Sequence, residues 1–89
     1  MLKLSRTKKF LKNYQKLSLT KNDKKIFYYV IEQLSEKVSL EAKFKDHKLS
    51  GDFNRCRECH VKNDLLLIYQ VFEDELRLID IGTHSQLFG

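Results

Sequence analysis

Residues 53–82, FNRCRECHVKNDLLLIYQVFEDELRLIDIG, hold three strand-length apolar stretches in close succession, and their reading decides the fold. The first runs from Phe53 to Val61, the second from Leu65 to Phe72 and the third from Glu75 to Ile81. Only Lys62-Asn63-Asp64 and Glu73-Asp74 separate them, and connections that short join neighbouring antiparallel strands. Val, Ile, Phe and Tyr recur within the stretches, as a pleated, half-buried surface favours. Gly82 ends the third strand, and His84 to Phe88 is predicted as a final helical turn.

Upstream of this run, Ser35 to Asp52 loses all periodicity and reads as a loop carrying one turn of helix. Before it the spacing becomes helical. Thr20 and Asp23 have the form of a capping box that opens a helix with the apolar stripe Ile26, Phe27, Val30, Ile31 and Leu34. An earlier helix carries Phe10, Leu11, Tyr14 and Leu17 on one side and Lys8, Lys9, Lys12 and Lys16 on the other, with Ser5 as its expected N-cap. The connection Leu17-Ser18-Leu19-Thr20 is short, so the two helices form a hairpin. Leu2-Lys3-Leu4 alternates and is predicted as a short first strand. The expected fold is a single α+β domain over residues 1–89: a short strand and a helical hairpin packed on a small antiparallel sheet.

The chain has 89 residues, of which 42% are hydrophobic, enough for one modest core. The longest apolar run, Leu65 to Tyr69, is far short of the ~20 residues of a membrane span. Met1-Leu2-Lys3-Leu4-Ser5-Arg6 lacks the apolar stretch of a signal peptide, so a cytoplasmic location is expected, with no membrane partner. Cys56 and Cys59 then have no need to pair. Charge is unevenly spread. Residues 1–48 hold 13 Lys/Arg against 5 Asp/Glu, while residues 49–89 hold 4 against 7. A basic half beside a mildly acidic one suggests a face built for a polyanion.

Three histidines stand at the edges of elements: His47 in the long loop, His60 at a strand end and His84 just past Gly82. His60 and Asp64 flank the Lys62-Asn63 turn, which should bring them close. Glu58 shares the strand face of His60, because strand side chains alternate. Such residues suit RNA cleavage through the substrate's own 2′-hydroxyl. That reaction needs a base for the hydroxyl proton, an acid for the leaving 5′-oxygen and a cation for the phosphate. Histidine titrates near neutrality, and carboxylates can act as base or orient an imidazole. No metal or other cofactor is required.

Three stretches carry a resemblance: Phe44-Lys45-Asp46-His47-Lys48-Leu49-Ser50-Gly51, Arg57 to Tyr69, and Ile81-Gly82-Thr83-His84-Ser85-Gln86-Leu87-Phe88-Gly89. Together they resemble the YafQ branch of the RelE-like toxins, ribosome-dependent mRNA endonucleases of bacterial toxin–antitoxin pairs. The resemblance implies catalytic duty for His47, His60, Asp64 and His84, and Glu58 joins these candidates through the strand face it shares with His60. It implies stacking of Phe88 on a base, while Lys45, Lys48, Arg57 and Lys62 are the candidate RNA-binding cations by residue type and position. It also implies a separate cognate antitoxin, acidic and partly disordered when free, that covers the site and alone brings the pair to operator DNA. The further partners implied are mRNA and the ribosome.

Two positions depart from the family. An arginine is common four residues before the histidine of the Gly82-Thr83-His84 segment, and this chain has Asp80 there. An anion there should weaken cleavage. Arg77 should not replace it, because three positions along a strand reverses the facing; Arg57, Lys62 and Lys48 are better candidates. Leu65 also stands where some relatives have an aromatic. Other readings are open. Cys56-x-x-Cys59-His60 invites zinc, but positions 56 and 59 of one strand face opposite sides, and buried thiols fit better. A catalytically weak, toxin-like binding module is the main alternative. Tyr28 and Tyr29 are expected in the helical core.

Overall fold

The computed structural model of the chain describes residues 1–53 and 55–89. Five strands, β1 (Lys3–Arg6), β2 (His47–Lys48), β3 (Arg57–Lys62), β4 (Leu65–Phe72) and β5 (Glu75–Gly82), form one sheet in the order β1-β5-β4-β3-β2. The unbroken apolar run Leu65 to Tyr69 becomes its central strand, buried on both faces. Neighbours are antiparallel except β1, which lies parallel to β5.

Helices α1 (Lys8–Gln15) and α2 (Lys21–Ser35) contribute to the core on one face of the sheet. Phe10, Phe27, Val30 and Leu34 from the helices meet Cys59, Leu67, Tyr69, Leu76 and Leu78 there, with Phe44 closing one end. Phe10, Tyr14 and Phe27 interlock with ring centroids 5.4–6.3 Å apart. The Thr20–Asp23 capping box forms as expected, satisfying backbone donors that α2 would otherwise leave open. A third helix, α3 (His84–Phe88), lies on the opposite face. A Cβ on Gly82 would point into it, 2.8 Å from the Gln86 Oε1. Among the described residues no helix is long and apolar enough to cross a membrane.

Two β-bulges control which way the polar side chains face. Between β3 and β4 the register passes from His60↔Leu66 to Lys62↔Leu65, leaving Val61 over. Between β4 and β5 it passes from Ile68↔Asp80 to Tyr69↔Leu78, leaving Ile79 over. Each extra residue inverts the alternation beyond it. Lys62 therefore turns to the helix side, where its Nζ meets Asp23 at 2.9 Å. Arg77 and Asp80 end up on the same face of β5 rather than on opposite ones.

Several local expectations are corrected. The N-cap of α1 is Thr7 and not Ser5; the Ser5 hydroxyl instead donates to Glu75 on β5, because pairing extends β1 to Arg6. The strand expected from Phe53 begins at Arg57; Phe53 belongs to a 3-10 turn, and Asn54 lies outside the described residues. His47 is in the edge strand β2 rather than in a loop, and His60 lies within β3 rather than at its end. Leu11 is exposed, as are Tyr28 (61%) and Tyr29 (40%), because Phe27 and Val30 already fill the space over the sheet.

Candidate active site

The sheet register builds the first half of the site. His47 pairs with Glu58 and Glu58 with Ile68, so these side chains share one face, and Glu58 and His60 share it by alternation. The Glu58 Oε1 lies 3.4 Å from the His47 Nε2 and 3.7 Å from the His60 Nε2. The two imidazole centroids are 6.4 Å apart. Glu58 is only 5% exposed, and its Oε2 has no hydrogen-bond partner among the described residues. A buried carboxylate oxygen without a donor is costly, and both imidazoles approach Oε1, so Oε2 is left open to an incoming donor. The Lys45 backbone, in the left-handed region at φ 49°, aims its carbonyl at the His47 Nδ1 at 2.6 Å. A carbonyl only accepts, so Nδ1 donates and Nε2 is left to face Glu58.

The second half belongs to α3. Thr83 and Gln86 form a capping box, and the Asp64 Oδ1 accepts the backbone N–H of His84 at 3.0 Å. His84 and Phe88, four residues apart, pack at a tilt with centroids 5.1 Å apart, and Phe88 meets the edge of Phe53 at 5.9 Å. Since His60, Leu66 and Gly82 form one row across three strands, α3 lies over the face that bears His60. The structure thus yields two clusters, His47–Glu58–His60 and Asp64–His84–Phe88. The hairpin does not join His60 to Asp64 directly: Asp64 holds the start of α3, and both residues border one cleft.

The expected cations are distributed differently. The Arg57 Nε is 3.2 Å from Asp46 and shares its face with Tyr69, away from Glu58. Lys48 pairs with Arg57 and faces the same way. Lys45 and Lys62 border the cleft. Asp80 is 3% exposed, and its oxygens take up Asn13 Nδ2 (2.6 Å), the Ile81 N–H (2.8 Å) and Lys9 Nζ (3.4 Å). Cys59 is in the core and Cys56 is only half-buried, and both thiols are free. Burial, with the Asp46 and Glu58 charges, pushes Cys59 up to about 12. Among the described residues no three His, Cys, Asp or Glu side chains are grouped to hold a metal ion.

Comparison with known proteins places this arrangement. Residues 2–89 match the family described as the bacterial toxin of type II toxin–antitoxin systems, YafQ. The chain belongs to the YafQ toxin family. The mRNA interferase toxin YafQ of Escherichia coli K12 is 36% identical over 69 residues, which is 78% of this chain and 75% of that protein. A copper-bound mutant toxin from Helicobacter pylori superposes with a TM-score of 0.92 at 44% identity, covering 99% of this chain and all of that one. YafQ in the E. coli DinJ–YafQ complex gives 0.86 at 29% identity, with both chains fully covered.

Sequence reasoning about this YafQ-family chain missed a clamp beside His47. Asp46 accepts from both the Tyr69 hydroxyl (2.6 Å) and Arg57 (3.2 Å), so the residue before His47 is tied to the central strand. Burial first, then the Asp46 carboxylate, raises the Tyr69 hydroxyl above its usual range. Nothing in the spacing of residues 46, 57 and 69 signals this, since all three meet only through strand pairing. The Lys9–Asp80 pair was equally hidden, as it links the first helix to the last strand.

Proposed function

We propose that this YafQ-family chain is an endoribonuclease that cuts mRNA without a metal, through attack by the substrate's 2′-hydroxyl. The observation that carries the reading is the buried Glu58 carboxylate in reach of two imidazoles, His47 and His60. In this scheme that cluster takes the 2′-hydroxyl proton. The 2′-oxygen bonds to phosphorus, the bond to the 5′-oxygen breaks, and His84 gives that oxygen its proton. The products are a 2′,3′-cyclic phosphate and a 5′-hydroxyl end. Nucleophile and leaving group lie on opposite sides of phosphorus, which suits two separate clusters. Asp64 sets α3 and so places His84, and Phe88 stacks on a neighbouring base.

Weakening by Asp80 has little to rest on, because its carboxylate is already met by Lys9 and Asn13. Lys45 and Lys62, which border the same cleft as His60 and Asp64, are better placed for the phosphate than Arg57 or Lys48, which face the Tyr69 side. A cognate antitoxin, acidic and disordered until bound, covers the basic surface, in line with the E. coli relative solved with DinJ. The ribosome presents the mRNA.

The test is incubation of purified protein with a defined mRNA, with and without chelator and ribosomes, beside His84→Ala and Glu58→Gln. The chelator arm matters because a relative has been solved with copper bound. Cuts that survive chelator, vanish in His84→Ala and leave cyclic phosphate ends are expected. Cutting that needs added metal would sink the mechanism, and no cutting by folded protein would leave an antitoxin- or RNA-binding module.

A further inference from the structure

A cleft of about 930 Å³ opens between α2, the Ala42–Phe44 turn and the β3–β4 hairpin. It extends beyond the two clusters described above and takes one bordering residue from each, His60 and Asp64. Its apolar lining is Ile26, Tyr29, Phe44 and Val61, of which Phe44 and Val61 are buried. Four lysines, Lys25, Lys43, Lys45 and Lys62, line it as well. Lys62 is engaged by Asp23. The other three have no carboxylate within salt-bridge distance among the described residues.

The aromatic pair in the cleft is held still. Both Glu41 oxygens accept the Tyr29 hydroxyl, at 2.7 and 2.8 Å, and the Tyr29 ring packs on Phe44 at 6.0 Å. That hydrogen bond is the main reason the Tyr29 hydroxyl is raised above its usual range. The Lys43 ammonium lies 5.3 Å from the Phe44 ring centre, which draws its stem along the lining. A fixed, 40%-exposed tyrosine flanked by unpaired lysines has the two features single-stranded nucleic acid needs: a stacking platform and cations for the backbone. An acidic peptide would use the cations but would leave the platform without a planar partner.

We propose that this cleft binds single-stranded RNA next to the scissile phosphate, with one base on Tyr29 and backbone phosphates on Lys25, Lys43 and Lys45. The proposal rests on the ribonuclease reading and adds the path of the strand: it leaves the histidines past His60 and crosses the sheet edge toward α2.

The experiment measures binding of a fluorescent 2′-O-methyl RNA of about 12 nucleotides, which lacks the attacking hydroxyl. Tyr29→Ala is expected to weaken binding about tenfold and Tyr29→Phe to change it little. Lys25→Ala with Lys43→Ala should weaken it about tenfold and lower the dependence of log affinity on log salt by roughly 1.4. Thermal melting checks that each variant is folded. Unchanged affinity in folded Tyr29→Ala and in the double lysine variant, with wild-type cleavage, overturns the cleft while the nuclease reading stands. Loss of binding to a Glu-rich peptide but not to RNA in these variants also overturns it, in favour of a protein occupant. Failure of the wild type to bind or cut any RNA removes the nuclease reading itself.

Discussion

Asp80 shows how one side chain's meaning depends on its neighbours. Alone in the sequence it is an anion where phosphate is expected. In the fold its oxygens meet Asn13, Lys9 and the Ile81 N–H, while only 3% of the residue is exposed. Asp80→Arg should therefore not speed cleavage. It sets a second cation against Lys9, leaves Asn13 unpaired, and should cost about 2–3 kcal/mol in denaturant unfolding. Adding Lys9→Glu should recover part of that loss; a stable and faster Asp80→Arg would contradict this account. Cys59 makes a second prediction at this scale. Its folded-state titration is pushed up to about 12 from the usual 9.0, chiefly by burial. A raised value means that stability is complete below about pH 9 and is lost as pH climbs from 9 toward 12. Native protein at pH 8 should leave Cys59 unmodified by iodoacetamide, while denatured protein should be alkylated at both cysteines.

Among the elements, β2 is the shortest strand and α3 the shortest α-helix, and each needs outside support. β2 has two residues, so His47 keeps its place through the tie of Asp46 to Tyr69 and Arg57. Tyr69→Phe removes one hydroxyl and should cost about 1 kcal/mol, together with a lower kcat. Combined with His47→Ala it should lower kcat no further, because the clamp acts through His47. Additive losses would show that Tyr69 serves only the core. α3 has five residues and depends on the Thr83–Gln86 box and on Asp64. A methyl group on Gly82 would come within 2.8 Å of the Gln86 Oε1, the atom that accepts the Thr83 N–H. Gly82→Ala should break that cap at a cost of about 1 kcal/mol and displace His84. Cleavage should fall more than RNA affinity, and a variant with wild-type kcat would show that α3 adjusts freely.

For the whole molecule, charge is the controlling quantity. The chain carries +5 overall, with an excess in residues 1–48, and the fold gathers part of it at the cleft and part on the helices. Binding of the uncleavable RNA should weaken steeply with salt, with a log–log slope of roughly −0.7 per phosphate neutralised. A slope near zero would mean that the basic half serves no polyanion.

How much of this was legible beforehand follows from the range of the interactions. The helical stripe Phe27, Val30 and Leu34, the Thr20–Asp23 box and the β4 run from Leu65 to Phe72 were readable, because each is set by residues within a turn or a strand of one another. The shared face of Glu58 and His60 was readable for the same reason. The bulges at Val61 and Ile79 were not, and they decide that Lys62 turns to the helices and that Arg77 and Asp80 share a face. Parity along a strand is local, whereas a bulge answers to packing on both faces at once. The Asp46–Tyr69 tie, the Lys9–Asp80 pair and the Tyr29 cleft likewise join distant segments, so only the closing of the sheet under its helices brings them into being.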